Sequence, residues 1–335
     1  MNGIESTTTG LVPELAGARV LVTGGAGLIG STIIDQLAPT GVAEIVVLDD
    51  FSRGTGQNLA TVAGRDLLTV VEGDIRDRAT VHRVMAGVDL VYHQAAIRIT
   101  QCAEDPRLAV DVLVNGAFTV FEAAVRAGVR RVVVASSASV YGQAEELPTT
   151  EDHHPWANDT MYGAAKVFDE GMLRSLHRTA GLDYVALRYF NVYGPRMDTH
   201  GVYTEVLIRW MERIEAGLPA VIHGDGLQTM DFVHVRDVAR ANVLAATVPG
   251  GDRVFNVGTG VATSLIDLAG RLARVMGSDL EPQHVASRDH VTVAHRRAGI
   301  ERARNELGFT ASIGLDEGLA DLVAWWRSVG RAAMV

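Results

Sequence analysis

The sequence predicts an α/β protein: a doubly wound parallel sheet followed by a smaller, mostly helical C-terminal lobe. Three observations carry this. Short Val/Ile/Leu runs alternate with amphipathic stretches from Ala18 onward, the first run leads into a glycine-rich turn, and the alternation breaks after about Tyr193. Continuous apolar strands alternating with helices indicate a parallel sheet covered on both faces. Candidate strands are Arg19–Thr23, Glu44–Asp49, Leu68–Glu72, Leu90–His93, Arg131–Ser136 and Tyr184–Arg188. Helical periodicity lies between them at Leu28–Ala38, Ala79–Ala86, Pro106–Ala127 and Thr160–Ala180. Beyond Tyr193, helices are expected near Tyr203–Ala216, Val238–Thr247, Ser264–Met276 and Leu315–Val329, with Gly-rich turns between them. Residues 1–16 read as a flexible leader.

Composition narrows the function classes. With 335 residues and 47% apolar content, the chain is long enough for a large core and an added lobe. A net charge of −10 argues against a nucleic-acid surface, which needs clustered Lys and Arg. The short basic pairs Arg130-Arg131 and Arg296-Arg297 read as solvated faces. The single cysteine, Cys102, excludes an internal disulfide framework and a Cys-rich metal site, and fits a reducing cytoplasm. No basic start with an apolar core marks a signal peptide. No apolar run approaches the roughly 20 residues that cross a bilayer. His153-His154 has no further ligands at metal-site spacing, so no metal is expected.

The first strand runs into T23-G-G-A-G-L-I-G30, where Gly24, Gly27 and Gly30 keep a GxxGxxG spacing between strand and helix. Glycines there allow a tight turn and close approach of the backbone to a pyrophosphate at the positive end of the helix. The second strand ends in Asp49, 19 residues after Gly30, where a carboxylate can accept both ribose hydroxyls of an adenosine. Asp50 adds a second negative charge that disfavours a 2′-phosphate, so NAD is expected rather than NADP. Asp74, in G73-D-I75, can meet the adenine amino group or form an ordinary strand-end turn.

Tyr162 and Lys166, in Y162-G-A-A-K166, share one face of a helix at i and i+4. Strand order brings them, with the Ser-rich strand end S136-S-A-S139, toward the nicotinamide side of a dinucleotide. A tyrosine that acts as a base near neutrality needs its pKa lowered by roughly 3 units, about 4 kcal/mol. A lysine charge about 5 Å away supplies ~0.8 kcal/mol at the dielectric of water but ~3 kcal/mol at an effective dielectric of about 20. Such a pair therefore works only in a partly desolvated pocket.

With these motifs, the chain resembles the extended short-chain dehydrogenase/reductases of the nucleotide-sugar epimerase/dehydratase family, over about residues 18–330. The resemblance rests on TGGAGLIG, VLDDFSRG (47–54), GDI (73–75), HQAA (93–96), SSASVYG (136–142), YGAAK (162–166), RYFNVYGPR (188–196), GDGLQTMDFVHVRDVA (224–239) and FNVGTG (255–260). It implies a Rossmann-type NAD-binding part at 17–192 and 225–258, and a substrate lobe at 193–224 and 259–333. It further implies that Leu28 and Ile29 present backbone to the pyrophosphate. Asp49, Asp50, Phe51, Ser52, Arg53 and Gly54 would wrap the adenosine ribose. Asp74 and Ile75 would edge the adenine, and His93, Gln94, Ala95, Ala96 and Ile97 would line the cofactor. Ser137 matches the catalytic Ser/Thr, Tyr162 the base and Lys166 the lysine on the NAD ribose. Phe190 would touch the nicotinamide. The substrate set would be Ser137, Ser139, Asn191, Arg98, Arg196, Met230 and Arg288. Arg98 is read as aimed at the sugar or held in a surface salt bridge.

Departures from the family pattern bear on the reaction. Met230 stands where an arginine usually meets a nucleotide phosphate, leaving Arg196 or Arg288 for the diphosphate. Leu113 replaces a usual asparagine, and Asn115 is expected to face another way. Gln94 replaces a leucine, and Gly299 an aspartate. The acid and base that a 4,6-dehydratase carries directly after the catalytic Ser/Thr are here Ala138 and Ser139. The resemblance thus implies a 4-epimerase acting on a nucleotide-diphospho-sugar through a 4-keto intermediate, as a cytoplasmic homodimer whose long helices 106–127 and 160–180 form the interface. The alternatives are a dehydratase, decarboxylase or 4-ketoreductase on the same scaffold, or a non-catalytic NAD sensor.

Overall fold

Parallel strands with apolar side chains on both faces need a helical layer on each side. The computed structural model, which describes residues 14–199, 206–286 and 293–332, has that arrangement. The first half contains β1 (Arg19–Thr23), α1 (Leu28–Leu37), β2 (Glu44–Asp49), β3 (Leu68–Glu72), α2 (Arg78–Met85) and β4 (Leu90–His93). It continues with α3 (Ile99–Glu104), α4 (Pro106–Ala109), a π-helical turn Val110–Gly116, α5 (Ala117–Ala127), β5 (Arg131–Ser137), α6 (Met161–Ala180) and β6 (Tyr184–Tyr189). The second half contains β7 (Asn191–Tyr193), α7 (Val206–Glu215), β8 (Val221–His223), β9 (Thr229–Met230), β10 (Phe232–His234) and α8 (Val235–Thr247). After these come β11 (Arg253–Val257), β12 (Thr263–Ser264), α9 (Leu265–Met276), β13 (Gln283–Val285) and α10 (Leu315–Ala332).

The main sheet is seven-stranded, all parallel, in the order β11-β6-β5-β4-β1-β2-β3. Chain order reverses between β1 and β4, so a cleft opens beyond their carboxyl ends. Alternation along each strand feeds two cores. Val20, Val22, Ile45, Val47, Val185 and Leu187 pack under α1 and α8. Leu21, Val46, Leu48, Val132, Val134 and Ala186 pack under α2, α5 and α6. A third core joins α7, α9 and α10 around Trp210, Leu268 and Leu322.

Side-chain caps place several helix starts. The Asp77 carboxylate accepts from Ala79 N, Thr160 Oγ1 from Gly163 N, and His234 Nδ1 from Arg236 N. The last cap starts α8 at Val235, a turn before the Val238 expected from periodicity. The seventh strand, β11, falls after the point where the strand–helix rhythm breaks. Its parallel register with β6, from Arg253↔Val185 to Val257↔Tyr189, returns the chain to the main sheet.

Three expectations need correction. The segment Pro106–Ala127 is long and apolar enough to cross a membrane, but half of it is buried in this fold. Its Val120, Phe121 and Ala124 belong to the core beneath α2 and α6. Leu15, within the stretch read as a leader, is fully buried, while residues 1–13 lie outside the described residues. In the pair Arg130-Arg131, only Arg130 is exposed. Arg131 is buried and donates to the carbonyls of Ala245, Ala246, Val248 and Gly250, because strand neighbours point to opposite faces.

Candidate active site

A cavity of about 1190 Å³ runs from the carboxyl ends of β1 and β2 into the C-terminal lobe. Its first wall is the β1–α1 turn. Gly24 takes φ +67, and a Cβ there would stand 2.6 Å from Ala95 N. A Cβ on Gly30 would collide with the carbonyl oxygen of Gly24. The turn therefore accepts only glycine at these two positions, and Leu28, Ile29 and Gly30 border the cavity. No side chain caps the start of α1, which leaves its first-turn amides facing that wall for an anion.

Asp49 anchors this wall. Its Oδ2 accepts from Ala26 N at 2.8 Å and its Oδ1 from Phe51 N at 2.9 Å. Burial raises the pKa of this carboxyl, while the two backbone amides pull it back down and the Asp50 charge adds to the rise. Asp50, Ser52, Arg53 and Gly54 line the same end of the cavity, as do Asp74 and Ile75. Phe51 does not; its side chain packs against the core. The Asp74 carboxylate is held below the usual range by hydrogen bonds from Arg76. The floor toward β4 is formed by Gln94, Ala95, Ala96 and Ile97. Gln94 is fixed in place, since its Nε2 donates to Asn242 Oδ1 and its Oε1 accepts from the Tyr189 hydroxyl.

The three serines after β5 have different partners. Ser136 is buried and donates to Glu170 Oε1 at 2.6 Å. Glu170 holds Arg188, and Arg188 donates to the Tyr141 hydroxyl, so Ser136 belongs to a structural network. Ser137 Oγ accepts from Ser139 N, an ST-turn that ends the strand. Ser139 lines the cavity together with Tyr162, Phe190 and Asn191. Asn191 Oδ1 is buried and has no hydrogen-bond partner among the described residues.

Tyr162 rests on a small apolar cluster of Cys102, Ala109, Leu113 and Ala165. Leu113 thus packs beneath the tyrosine, whereas Asn115 is exposed and donates to Asp111. Lys166 is only 1% exposed, which puts it behind the cavity wall rather than on it. Its Nζ sits 6.0 Å from the Tyr162 ring centroid and 3.4 Å from Asp169 Oδ2. Burial pushes Asp169 up to about 7 against the pull of the lysine. His93 lies under the same site, its Nδ1 2.7 Å from Thr23 Oγ1; burial lowers it to about 3, helped by the Lys166 charge. It therefore stays neutral beneath the site.

Toward the lobe, Arg98 pairs with Asp198 at 3.5 Å and Arg196 with Asp35 at 2.6 Å, and both arginines border the cavity. Met230 does not border it: β9 pairs with β12 instead. Arg288 lies outside the described residues. Sequence reasoning missed Arg209, Arg213, Trp210 and Arg296 on this wall. Three of them lie on α7, whose apolar face faces the third core, and nothing in the sequence places that helix at the cavity. The pair Arg296-Arg297 splits as Arg130-Arg131 does. Arg297 is exposed, and Arg296 faces the cavity.

The cavity is continuous from an anion-accepting helix start and an acidic ribose-side wall to Tyr162, which fits a dinucleotide with a second ligand beyond it. The pattern of the NAD dependent epimerase/dehydratase family matches residues 20–258. A UDP-glucose 4-epimerase of Mycolicibacterium smegmatis is 39% identical over 92% of this chain and 99% of its own. A dTDP-glucose 4,6-dehydratase of Streptomyces griseus is 35% identical over 92% of this chain and 94% of its own. Among solved structures, a UDP-N-acetylglucosamine 4-epimerase from Methanobrevibacter ruminantium M1, in complex with UDP-N-acetylmuramic acid, superposes with a TM-score of 0.88. It is 31% identical and covers 94% of this chain and 99% of its own. On this likeness and this geometry the chain belongs to the NAD-dependent epimerase/dehydratase family, an extended short-chain dehydrogenase/reductase with NAD as its cofactor.

Proposed function

We propose that the protein is a nucleotide-diphospho-sugar 4-epimerase. The observation that supports this most is the strand end after Ser137, where Ala138 and Ser139 offer no carboxyl beside Tyr162 for the elimination chemistry of a dehydratase. Bound NAD supplies a hydride acceptor that returns the same hydride within one turnover. Tyr162 Oη takes the proton of the sugar 4-hydroxyl, and the Ser137 hydroxyl, which stands at the strand end beside the cavity-lining Ser139 and is not itself on the cavity wall, turns to that oxygen when the sugar binds. The Lys166 ammonium, buried behind Tyr162, stabilises the phenolate form in which Tyr162 acts as the base. The polar cavity wall at Ser139 and Asn191 lets the 4-keto sugar turn, so that C4 takes the hydride back on its other face while Tyr162 returns the proton to the 4-oxygen. In this reading residues 17–192 and 225–258 hold the cofactor, and 193–224 and 259–333 hold the nucleotide sugar.

The test is direct. Purified protein releases NAD on heat denaturation, and interconverts UDP-glucose with UDP-galactose, or their N-acetyl, uronic acid, dTDP, GDP or CDP counterparts. Tyr162→Phe is expected to lower kcat by about 10³-fold while NAD stays bound. Mass loss of one water from the sugar would instead establish the dehydratase reaction. Steady net consumption of NADH would establish the ketoreductase.

A further inference from the structure

Arg296 carries a positive charge into the cavity, and no anion among the described residues pairs with it. The other arginines described at this wall are engaged: Arg53 and Arg98 with Asp198, Arg196 with Asp35, Arg213 Nε with the Pro219 carbonyl, and Arg209 also has a partner. Arg296 forms no ion pair among the described residues, and its Nε is shut off from solvent with no hydrogen-bond partner there. Burial lowers its pKa, and the charges that it feels are those of Tyr162 and of the exposed Asp159. A guanidinium whose Nε is desolvated and without a partner is costly unless a ligand completes it.

The segment that carries Arg296 is tied down on several sides. Arg296 N donates to Thr229 O, and Thr229 N donates to Ala294 O. Thr149 N donates to Arg297 O, and Gly299 N to Thr149 O. Ala298 N donates to Asp231 Oδ2, a fully buried carboxylate that also accepts from Thr259 N, Thr259 Oγ1 and Gly260 N. The backbone that carries Arg296 toward the cavity is therefore fixed by the fold. A rigid fork of donors in such a place suits the two oxygens of a carboxylate or phosphate.

We propose that Arg296 binds an oxyanion of the substrate at the Tyr162 end of the cavity, and that this contact helps to select the nucleotide sugars that the protein accepts. The proposal rests on the assignment of nucleotide sugars to this cavity. The oxyanion has two sources, a carboxylate on the sugar, as in a nucleoside-diphospho-uronate, or the diphosphate common to all such substrates.

The experiment is calorimetric titration of the NAD-loaded protein with the UDP and dTDP forms of the free nucleoside diphosphate, the glucose conjugate and the glucuronate conjugate. Wild type is compared with Arg296→Leu, with Arg296→Gln as a second, polar variant, and with Arg297→Leu, which removes the exposed neighbouring charge. Thermal unfolding and NAD content establish that each variant is folded. Arg296→Leu and Arg296→Gln are expected to bind at least about tenfold more weakly, while Arg297→Leu stays within about twofold of wild type. A loss confined to the glucuronate conjugates assigns the sugar carboxylate, and an equal loss for all ligands assigns the diphosphate. Unchanged affinities in both Arg296 variants, an equal loss in Arg297→Leu, or no binding of any ligand overturns the proposal. Because binding is read without turnover, failure of epimerisation alone removes the reaction and leaves the anion site standing.

Discussion

A methyl group at position 30 has nowhere to go. The backbone of Gly24 and Gly25 already lies against the site where a Cβ would stand, and no flexible side chain is there to yield. Gly30→Ala is expected to force the β1–α1 turn open, to destabilise the fold by about 1–3 kcal/mol, and to leave the purified protein with little bound NAD. Denaturant unfolding and the nucleotide content of the purified protein measure the two effects. The same scale separates the three serines after β5. Ser136 belongs to the Glu170–Arg188 network, Ser139 lines the cavity, and Ser137 closes the strand between them.

At the scale of elements, the carboxyl ends of β1 and β4 meet through Thr23 and His93. His93 has a folded pKa of about 3, below its ordinary value near 6.5, because burial favours the neutral ring. The unfolded chain therefore binds one more proton than the native protein between about pH 6.5 and pH 3. Stability from this group is complete above pH 6.5 and is lost as pH falls, at about 1.4 kcal/mol per pH unit. His93→Gln is expected to reduce the slope of Tm against pH between pH 7 and pH 4.5, whatever its effect on Tm at pH 7. Calorimetry at several pH values reads this directly, and an unchanged slope would show that His93 takes up its proton in the fold.

The whole molecule presents an apolar surface on the two long helices beside the sheet. Phe118 on α5 is 45% exposed and Phe168 on α6 is 53% exposed, with Val110 and Met161 also exposed on the same pair of segments. Met161 and Phe168 are seven residues apart, hence on one face of α6, and α5 packs against α6. Large exposed apolar side chains grouped in this way fit an interface between two copies of the chain. We expect a homodimer, and expect Phe118→Glu combined with Phe168→Glu to halve the mass measured by light scattering while NAD remains bound.

The strands and helices of the first half were legible in the chain because burial on both sheet faces imposes continuous apolar runs, and the glycine turn, Asp49 and the Tyr162–Lys166 spacing point to one site through their order along the chain. The six strands expected there are strands in the structure, with β5 and β6 each one residue longer. Tertiary structure alone decided the rest. β11 is a short run whose partners in β6 lie 68 residues earlier in the chain, so no local period announces it. Arg131 and Arg296 are each one half of an arginine pair. Only the fold decides which of two adjacent guanidinium groups turns inward, because adjacent residues in extended backbone point to opposite sides and the sequence does not say which side is the interior.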